Sequence, residues 1–317
     1  MSIATEIERL QTAKDDIKQA IEAKGVSVPS GATIDTYDGY IDNISRGISL
    51  PQNVKSIVLN DDGRPEEIEL SDNLTAITES MYEGERTLTS IDIPSGVTEI
   101  GAYAFQRCYA LSSVTMPDDL ETIGGYAFQS CSALASIDIP SGVTDISQNV
   151  FANCSSLSSA TIHGDIENIG NSAFSKCAAL TGITLPDSLL TIGSSTFLQC
   201  YALTSVVIPT GVTSIGTSAF ENCSYMELVD MHSYTATGRY SFRNIGTNTP
   251  SGATLVLRGD DGIIDGSIYA YSFTNAFLKE MYVSDVLLAN YRDDANWVNA
   301  VGNDTNNIKP LSDYVSA

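Results

Sequence analysis

The sequence predicts an α/β repeat fold, a solenoid of 23-residue units with a helical module before it and a cap after it. Three observations predict it: a repeated Phe and Cys pair, an apolar stripe near the N-terminus, and the loss of the period after residue 231. A fixed period of 20 to 50 residues is typical of a solenoid, whose units bury their apolar faces on each other. The pairs are Phe105 with Cys108, Phe128 with Cys131, Phe151 with Cys154, Phe174 with Cys177, Phe197 with Cys200 and Phe220 with Cys223.

These patterns divide the chain into three predicted regions. Residues 1–50 form an N-terminal helical module, residues 51–231 the solenoid and residues 232–317 a C-terminal capping region. Within the solenoid, residues 51–87 are degenerate capping units and residues 88–223 are six full repeats. Terminal units of a solenoid commonly depart from the consensus, because one of their faces meets no neighbouring unit.

The N-terminal module begins with a predicted helix over residues 3–24. Thr5 and Glu8 have the spacing of a capping box, and Gly25 ends the helix. The apolar stripe of this helix is too extensive to stay exposed, so it packs either on a second helical stretch around Tyr37 or on copies of itself. We favour self-association as a short coiled coil, which predicts a homo-oligomer. The stripe consists of Ile3, Ile7, Leu10, Ile17 and Ile21.

Each full repeat predicts a short strand, a turn and a second apolar segment. The alternation at Ile137 and Ile139 indicates a strand with one buried face. A proline such as Pro140 follows in most repeats and ends the strand, because it lacks an N–H. A glycine then supplies a bend where a side chain would collide. These glycines are Gly101, Gly124, Gly170, Gly193 and Gly216.

The recurring columns of Leu, Ile, Pro, Val, Ile-Gly, Ala-Phe and Cys resemble the BspA-type leucine-rich repeat family over residues 65–231. The resemblance implies a leucine-rich-repeat solenoid. The C-terminal region is similar to the terminal cap of such arrays, with a strand over residues 280–283 and a helix that begins at Ser284 as its N-cap. The predicted role of the cap is to cover the last open strand edge. The helix carries Leu287, Leu288 and Tyr291, and Trp297 follows it.

A second resemblance concerns residues 7–37, which are similar to the helical N-terminal module of phage and prophage tail-associated proteins. It implies that this end attaches to a virion or to a sister subunit while the repeats face outward. The residues that carry it are Ile7-Glu8-Arg9-Leu10-Gln11-Thr12-Ala13-Lys14, Ile21-Glu22-Ala23-Lys24-Gly25-Val26, Pro29-Ser30-Gly31 and Tyr37.

The charge of the chain excludes several classes of partner. Its formal net charge is −23 at pH 7, and Arg107 and Lys176 are the only basic residues between positions 88 and 223. Such an array cannot neutralise a phosphate backbone, so binding to nucleic acid or an anionic membrane is not expected. No apolar run reaches the 18 residues of a membrane span, and residues 1–25 show no signal-peptide pattern. For a complete chain, this predicts no export by the ordinary secretory route.

The residues with reactive side chains predict no enzyme, cofactor or metal. One cysteine per unit offers no cluster of four ligands around a point, so we interpret the cysteines as a column of reduced, buried thiols. His163 and His232 lie three units apart, about 14 Å at the usual strand spacing, which is too far to share a metal or a proton. Asp61-Asp62-Gly63 and Asp260-Asp261-Gly262 lack the spaced acids of a calcium loop, and we interpret them as turns.

The outward strand positions form the candidate ligand face. These residues are small, mostly hydroxylated and nearly uncharged, which suits either an extended glycan or peptide or an inert exposed strand. The candidate residues are Ser90, Asp92, Ser113, Thr115, Ser136, Asp138, Ser159, Thr161, Thr184 and Ser205. Four tyrosines are candidate aromatic contacts, since a tyrosine ring can stack on a sugar while its hydroxyl hydrogen-bonds. They are Tyr103 and Tyr126 in one column and Tyr109 and Tyr201 in another.

Together these patterns predict a non-enzymatic recognition or adhesion protein. The first hypothesis is a phage or prophage tail-associated component, located in the virion, that presents the repeats to a protein or glycan on a bacterial surface. The alternative is a BspA-type adhesin of the bacterial cell surface, with a protein or glycan of a bacterial or host surface as its partner. The two hypotheses use the same repeats, and the adhesin needs an export signal in addition, for which residues 1–25 show no pattern.

Overall fold

The structure is a computed structural model that describes residues 54–59, 65–232, 235–259 and 272–314. The predicted N-terminal module of residues 1–50, with its helix over residues 3–24, lies outside these residues. So do the two Asp-Asp-Gly segments. The predictions for these segments therefore stay predictions.

A first stack of strands contains one strand from each repeat. Neighbouring repeat strands within a sheet are parallel and in register, so Ser90 pairs with Ser113 and Ser136 with Ser159. The stack divides into three hydrogen-bonded sheets, with one break between the strands of Ser113 and Ser136 and another between those of Ile183 and Ser205. At the N-terminal end, β1 pairs antiparallel with β2. The strands are β1 (Val54–Leu59), β2 (Pro65–Leu70), β4 (Ser90–Asp92), β6 (Ser113–Thr115), β8 (Ser136–Ile139), β10 (Ser159–Ile162), β12 (Gly182–Ile183), β14 (Ser205–Val207), β16 (Leu228–His232), β18 (Ala253–Arg258), β19 (Leu278–Val283) and β20 (Ile308–Pro310).

A second stack of shorter parallel strands faces the first. It divides into two hydrogen-bonded sheets between β7 and β9. At this break Ser147 stands in the glycine column, and its Oγ donates to the carbonyl of Ile123 at 2.8 Å. In the next unit the N–H of Gly170 donates to the carbonyl of Ile146 at 2.7 Å. The strands are β3 (Ala76–Ile77), β5 (Glu99–Ile100), β7 (Thr122–Ile123), β9 (Asp145–Ile146), β11 (Asn168–Ile169), β13 (Thr191–Ile192), β15 (Ser214–Ile215) and β17 (Ala236–Thr237).

The third side of each unit is a run of turns that is hydrogen-bonded from unit to unit. The N–H of Phe105 donates to the carbonyl of Ala127 at 2.7 Å. The peptide group that joins Ala127 to Phe128 then donates, through the N–H of Phe128, to the carbonyl of Val150 in the next unit. Parallel chains of such bonds pass through Tyr103 and Arg107. In each bond the donor lies in the earlier unit. Two residues near Phe105 adopt the left-handed backbone conformation in this run of turns, Tyr103 (φ 59°) before it and Arg107 (φ 63°) after it.

A column of stacked aromatic rings runs through the core. Neighbouring rings have centroid distances between 4.8 and 5.7 Å, close to the usual spacing of paired strands. The column begins at Tyr82, in the degenerate unit that precedes the full repeats. The six phenylalanines of the Phe and Cys pairs are fully buried, and so are their six cysteines. The sequence prediction of a buried phenylalanine and cysteine core is confirmed.

The glycine column is confirmed as a point of close approach between units. A Cβ on Gly124 would lie 2.4 Å from the backbone nitrogen of Ala102, and one on Gly193 would lie 2.6 Å from the backbone nitrogen of Asn171. Real Cβ atoms do not come this close to backbone. These glycines are therefore required by contact with the preceding unit.

The stack of rungs continues beyond the point where the 23-residue period ends. Phe242 and Phe273 follow Phe220 at irregular intervals, yet both rings join the aromatic column. Strands β18, β19 and β20 extend the first stack in parallel. The region after residue 231 thus contains further rungs, which the fixed period of the sequence could not reveal.

The C-terminal cap closes the aromatic column with two short helices. Trp297 packs against Phe273 and Tyr291, with ring centroids 6.2 and 6.0 Å away. The strand predicted over residues 280–283 is confirmed as part of β19. The helices are α1 (Leu288–Asp293) and α2 (Ala295–Ala300), and 3-10 turns cover Thr305–Asn307 and Leu311–Asp313.

The prediction that Ser284 caps the following helix is wrong. Helix α1 begins at Leu288, with Leu287 as N-cap and no side-chain cap. The carbonyl of Ser284 instead accepts a hydrogen bond from the N–H of Leu287 in an intervening turn. Helix α2 does have a side-chain N-cap, because the carboxylate of Asp294 accepts a hydrogen bond from the N–H of Asn296.

The helical part of the predicted α/β class is smaller than the class name suggests. Residues 65–232 consist of strands and turns, so the repeat unit itself is a β-and-turn unit. Within the described ranges, no helix has the length and apolar character that a membrane crossing requires.

Truncation of one core ring should destabilise the solenoid strongly. We expect Phe151→Ala to lower the free energy of unfolding by about 3–5 kcal/mol, because it leaves a cavity between two stacked rings. Urea denaturation followed by circular dichroism measures the change. The control is Tyr109→Ala, an exposed aromatic for which we expect about 0.5 kcal/mol or less. A loss below about 1 kcal/mol for Phe151→Ala would contradict the core assignment.

The close approach at the glycine column predicts a contrast between two glycines. We expect Gly193→Ala to cost about 1–3 kcal/mol or more, because the backbone of the preceding unit must shift. Gly182→Ala is the matched control, since a Cβ there meets nothing within 4 Å. It should be neutral or stabilising by less than about 1 kcal/mol. Equal urea midpoints for the two variants would refute this explanation of the column.

Candidate functional site

The predicted ligand face forms two transverse rows on the first stack. Within each hydrogen-bonded sheet the strands pair in register, so outward side chains of successive units are neighbours about 4.8 Å apart. The rows continue across the two breaks between sheets, from β6 to β8 and from β12 to β14. Row one consists of Glu67, Ser90, Ser113, Ser136, Ser159, Gly182 and Ser205, and row two consists of Glu69, Asp92, Thr115, Asp138, Thr161, Thr184 and Val207. All the predicted face residues thus lie together, and each is exposed except Ser90, which is half-buried.

The hydroxyls next to row one have a structural role. The Oγ1 of Thr89 donates to the carbonyl of Glu66 at 3.0 Å, and the Oγ of Ser112 donates to the carbonyl of Thr89 at 3.0 Å. The same bond recurs at three further units, where Ser158, Thr181 and Thr204 are the donors. This column therefore links five units to the ones before them, with Ala135 as the interruption.

The hydroxyls of rows one and two differ from that column. Within the described residues, no hydrogen bond to another group of the protein engages their side chains. These hydroxyls are Ser90, Ser113, Ser136, Ser159 and Ser205 in row one and Thr115, Thr161 and Thr184 in row two. Their donors and acceptors are both available to a ligand, whereas the hydroxyl donors of the adjacent column are engaged by the carbonyls of the preceding unit.

Carboxylates concentrate toward the N-terminal rungs of the two rows. A cavity of about 560 Å³ is lined by Glu67, Glu69, Asp72 and Asp92. Lys55 pairs with Glu69 at 2.9 Å and with Asp72 at 3.6 Å. The hydrogen bond that Lys55 donates to Glu69 is the main reason that the pKa of Lys55 is raised. These exposed pairs are screened by water and leave the cavity with a negative charge.

Further along row two, Asp138 lies beside His163. The Nε2 of His163 is 3.6 Å from the Oδ1 of Asp138, and both side chains are exposed. His232, the second histidine, lies on β16, three rungs further along the first stack. Among the described residues, no three His, Cys, Asp or Glu side chains are placed so that they could hold a metal ion.

The candidate tyrosines do not lie on this face. Tyr103 and Tyr126 are on the third side, where their rings stack at 4.9 Å with an interplanar angle of 16°. Tyr109 and Tyr201 lie four units apart, and Arg86 is 5.4 Å from the ring of Tyr109. The structure thus brings the first pair together and leaves the second pair separate.

The cysteine column is buried, and all six thiols are free. Each Sγ donates to the carbonyl of the aromatic residue 26 positions earlier, at 3.1 Å from Cys108 to Tyr82 and 3.2 Å from Cys154 to Phe128. Burial raises the pKa of Cys108, Cys154 and Cys200 to about 12. A thiol with such a pKa is not a nucleophile at neutral pH, so these cysteines serve the core.

The residues at the C-terminal end of the outward face were not indicated by the repeat pattern of the sequence. Arg258 donates from Nε and Nη2 to the carboxylate of Asp230, at 2.7 and 2.6 Å. The guanidinium lies 5.8 Å from the ring of Tyr314, which in turn lies 5.1 Å from the ring of Tyr282. Lys309 of β20 pairs with Glu280 of β19. The alternation of apolar and polar residues from Val229 to His232 in β16 was the available signal.

Comparison with known families gives one match. A profile described as the BspA type leucine rich repeat region matches six copies, over residues 52–181 and 144–250. A comparison with curated proteins finds no significant relative.

Solved structures of bacterial repeat proteins are similar to this chain. The leucine-rich repeat protein TpLRR of T. pallidum is 24% identical, with 62% of this chain and 88% of that chain covered and a TM-score of 0.41. A leucine-rich repeat protein from Bacteroides ovatus is 20% identical, with 75% and 76% covered and a TM-score of 0.49. A leucine rich cell surface protein from Faecalibacterium prausnitzii is 21% identical, with 76% and 86% covered and a TM-score of 0.40.

The buried thiols predict a labelling pattern. We expect all six to resist a thiol reagent in native buffer near neutral pH and to react together on denaturation, because burial disfavours the thiolate. Absorbance of the released chromophore measures the reaction. Rapid native labelling of two or more cysteines would contradict the assignment.

The same shift predicts a loss of stability at high pH. The pKa of Cys154 is raised from an ordinary value of 9.0 to about 12 in the folded protein. The contribution of this thiol is therefore fully present below pH 9 and is lost as the pH rises toward 12, where the unfolded thiol ionises first. We expect the urea midpoint to fall in this window, and to fall less in Cys154→Ala.

Proposed function

The chain belongs to the BspA-type leucine-rich repeat family, and from that premise we propose that it is a non-enzymatic recognition protein that binds a partner protein through rows one and two. The observation that carries the proposal is the difference between the two hydroxyl columns. The hydroxyls beside row one are engaged with the backbone, whereas those of the rows have no partner within the described protein. Short serine and threonine side chains lose little conformational entropy when a ligand engages them.

A non-enzymatic role is supported by the state of the titratable groups. The thiols are buried with raised pKa values, and the described carboxylates and histidines form no cluster suited to a metal. What the rows offer instead is a repeated set of hydrogen-bonding groups on a rigid scaffold. Such a surface suits recognition of an extended segment.

A glycan is the second candidate ligand. The hydroxyls of rows one and two could exchange hydrogen bonds with sugar hydroxyls, and the stacked pair of Tyr103 and Tyr126 offers an aromatic surface on the third side. We place a protein first, because the aromatic pair lies away from the rows.

The setting of this binding is proposed to be the bacterial cell surface, as an adhesin. Family membership rests on residues 52–250, which are matched directly. The alternative setting, a phage tail, rests on residues 7–37, which lie outside the described structure, and stays a hypothesis. Self-association through residues 3–24 also stays a prediction.

Variants in row one test the proposal. We expect Ser136→Lys with Ser159→Lys to weaken binding of the labelled protein to its target cells at least tenfold, because two long charged side chains would block the centre of the face. Flow cytometry over a panel of bacterial and epithelial cells measures the binding. Treatment of the cells with protease or with periodate separates a protein from a glycan partner.

The matched control places the same two charges on the second stack. Thr122→Lys with Ser214→Lys changes exposed residues on strands β7 and β15 and should leave binding unchanged. If both double variants bind as the unmodified protein does, the face is not the binding surface.

A further inference from the structure

We propose that the outward face takes an extended peptide of a partner protein, with a bulky apolar side chain at one end and lysine or arginine residues at the other. The apolar side chain would lie over Val207 and Leu228, and the basic residues would lie over the first rungs of row two. This inference rests on the proposed function and specifies the chemistry of its ligand.

The apolar end is marked by a change in the character of the two rows. Through five successive rungs, from Asp92 to Thr184, row two holds carboxylates or hydroxyls, and then it holds Val207, which is 59% exposed. In register with Ser205 of row one lies the half-buried Leu228. An aliphatic pair at a polar face, with Val207 exposed and Leu228 half-buried, is the chemistry of an anchor site, where burial of an apolar group contributes most.

An ordered network closes the face directly beyond this pair. Asp230 pairs in register with Val207, and its side chain is only 8% exposed because Arg258 covers it with two hydrogen bonds. The rings of Tyr314 and Tyr282 extend this network toward the C-terminal cap. The paired charges and the rings form a fixed wall, against which an apolar side chain can pack without leaving a charge unpaired.

The opposite end of the face has the charge of a site for cations. The cavity of about 560 Å³ is lined by four carboxylates, those of Glu67, Glu69, Asp72 and Asp92. Lys55 pairs with two of them. Charge complementarity therefore favours a basic segment at this end and disfavours an acidic one by like-charge repulsion.

The distance between the two ends fixes the length of the segment. Strand β14, which carries Val207, lies five rungs from β4, which carries Asp92. At about 4.8 Å per rung the separation is about 24 Å, which an extended chain spans with about seven residues. The ligand should hence carry its apolar and basic groups about seven residues apart.

A random peptide library tests the inference. Twelve-residue peptides displayed on yeast would be selected for binding to the full chain, and the enriched peptides would be synthesised and titrated by calorimetry. We expect them to be net positive, with a bulky apolar residue about seven positions from the basic group. Val207→Asp and Asp92→Lys should each weaken binding at least tenfold.

Two exposed residues away from the face give matched controls. Val286→Asp and Asp118→Lys introduce the same changes on turns, and each should stay within twofold of the unmodified protein. The inference would be overturned if the enriched peptides were neutral or acidic, or if Val207→Asp bound the peptides as tightly as the unmodified protein. It would also be overturned if the unmodified protein enriched no peptides beyond those that Val207→Asp enriches. If neutral or acidic peptides are enriched but their binding is abolished by the double variant Ser136→Lys with Ser159→Lys, this inference fails and the proposed function stands. If no face variant affects any bound ligand, both fail.

Discussion

The structure depends on hydrogen bonds that join each unit to its neighbours, most of them between backbone groups. They hold the units at one spacing, about 4.8 Å. At that spacing a Cβ on Gly193 would meet backbone at 2.6 Å, which explains why the bend carries glycine. The aromatic rings obey the same constraint, because flat rings are large side chains that can repeat at about 5 Å in one column.

The same spacing decides which surface groups are available. A hydroxyl beside the strand reaches the carbonyl of the preceding unit, as Thr181 reaches Ser158 at 3.3 Å, and becomes part of the scaffold. A hydroxyl on the outward face, such as that of Ser159, is exposed and makes no hydrogen bond within the described residues. Two adjacent columns of similar composition therefore have different roles, and this difference supports a binding surface on the rows.

Much of the fold could be predicted because the columns of the sequence are the columns of the structure. Phe151 and Cys154 are buried, and Ser136 lies beside Ser159, as the period requires. The final rungs could not be predicted, since Phe273 joins the aromatic column from an irregular position. Nor could the sequence separate the two hydroxyl columns, because serine and threonine occur in both and only the backbone geometry distinguishes them.

The chains of hydrogen-bonded peptide groups on the third side form a dipole along the axis of the solenoid. From Tyr82 onward, every bond in the chain through the phenylalanines points the same way, so the peptide dipoles add as they do in a helix. Each chain corresponds to a partial charge on the order of half a unit at either end, positive at the C-terminal cap and negative at the first rungs. The carboxylates of Glu67 and Glu69 lie toward the negative pole. On the other two sides, bonds such as those from Ser112 to Thr89 and from Gly124 to Ile100 run the opposite way, with the donor in the later unit. The polarity is therefore confined to the third side, and a dipolar molecule approaching that side would be oriented before any contact forms.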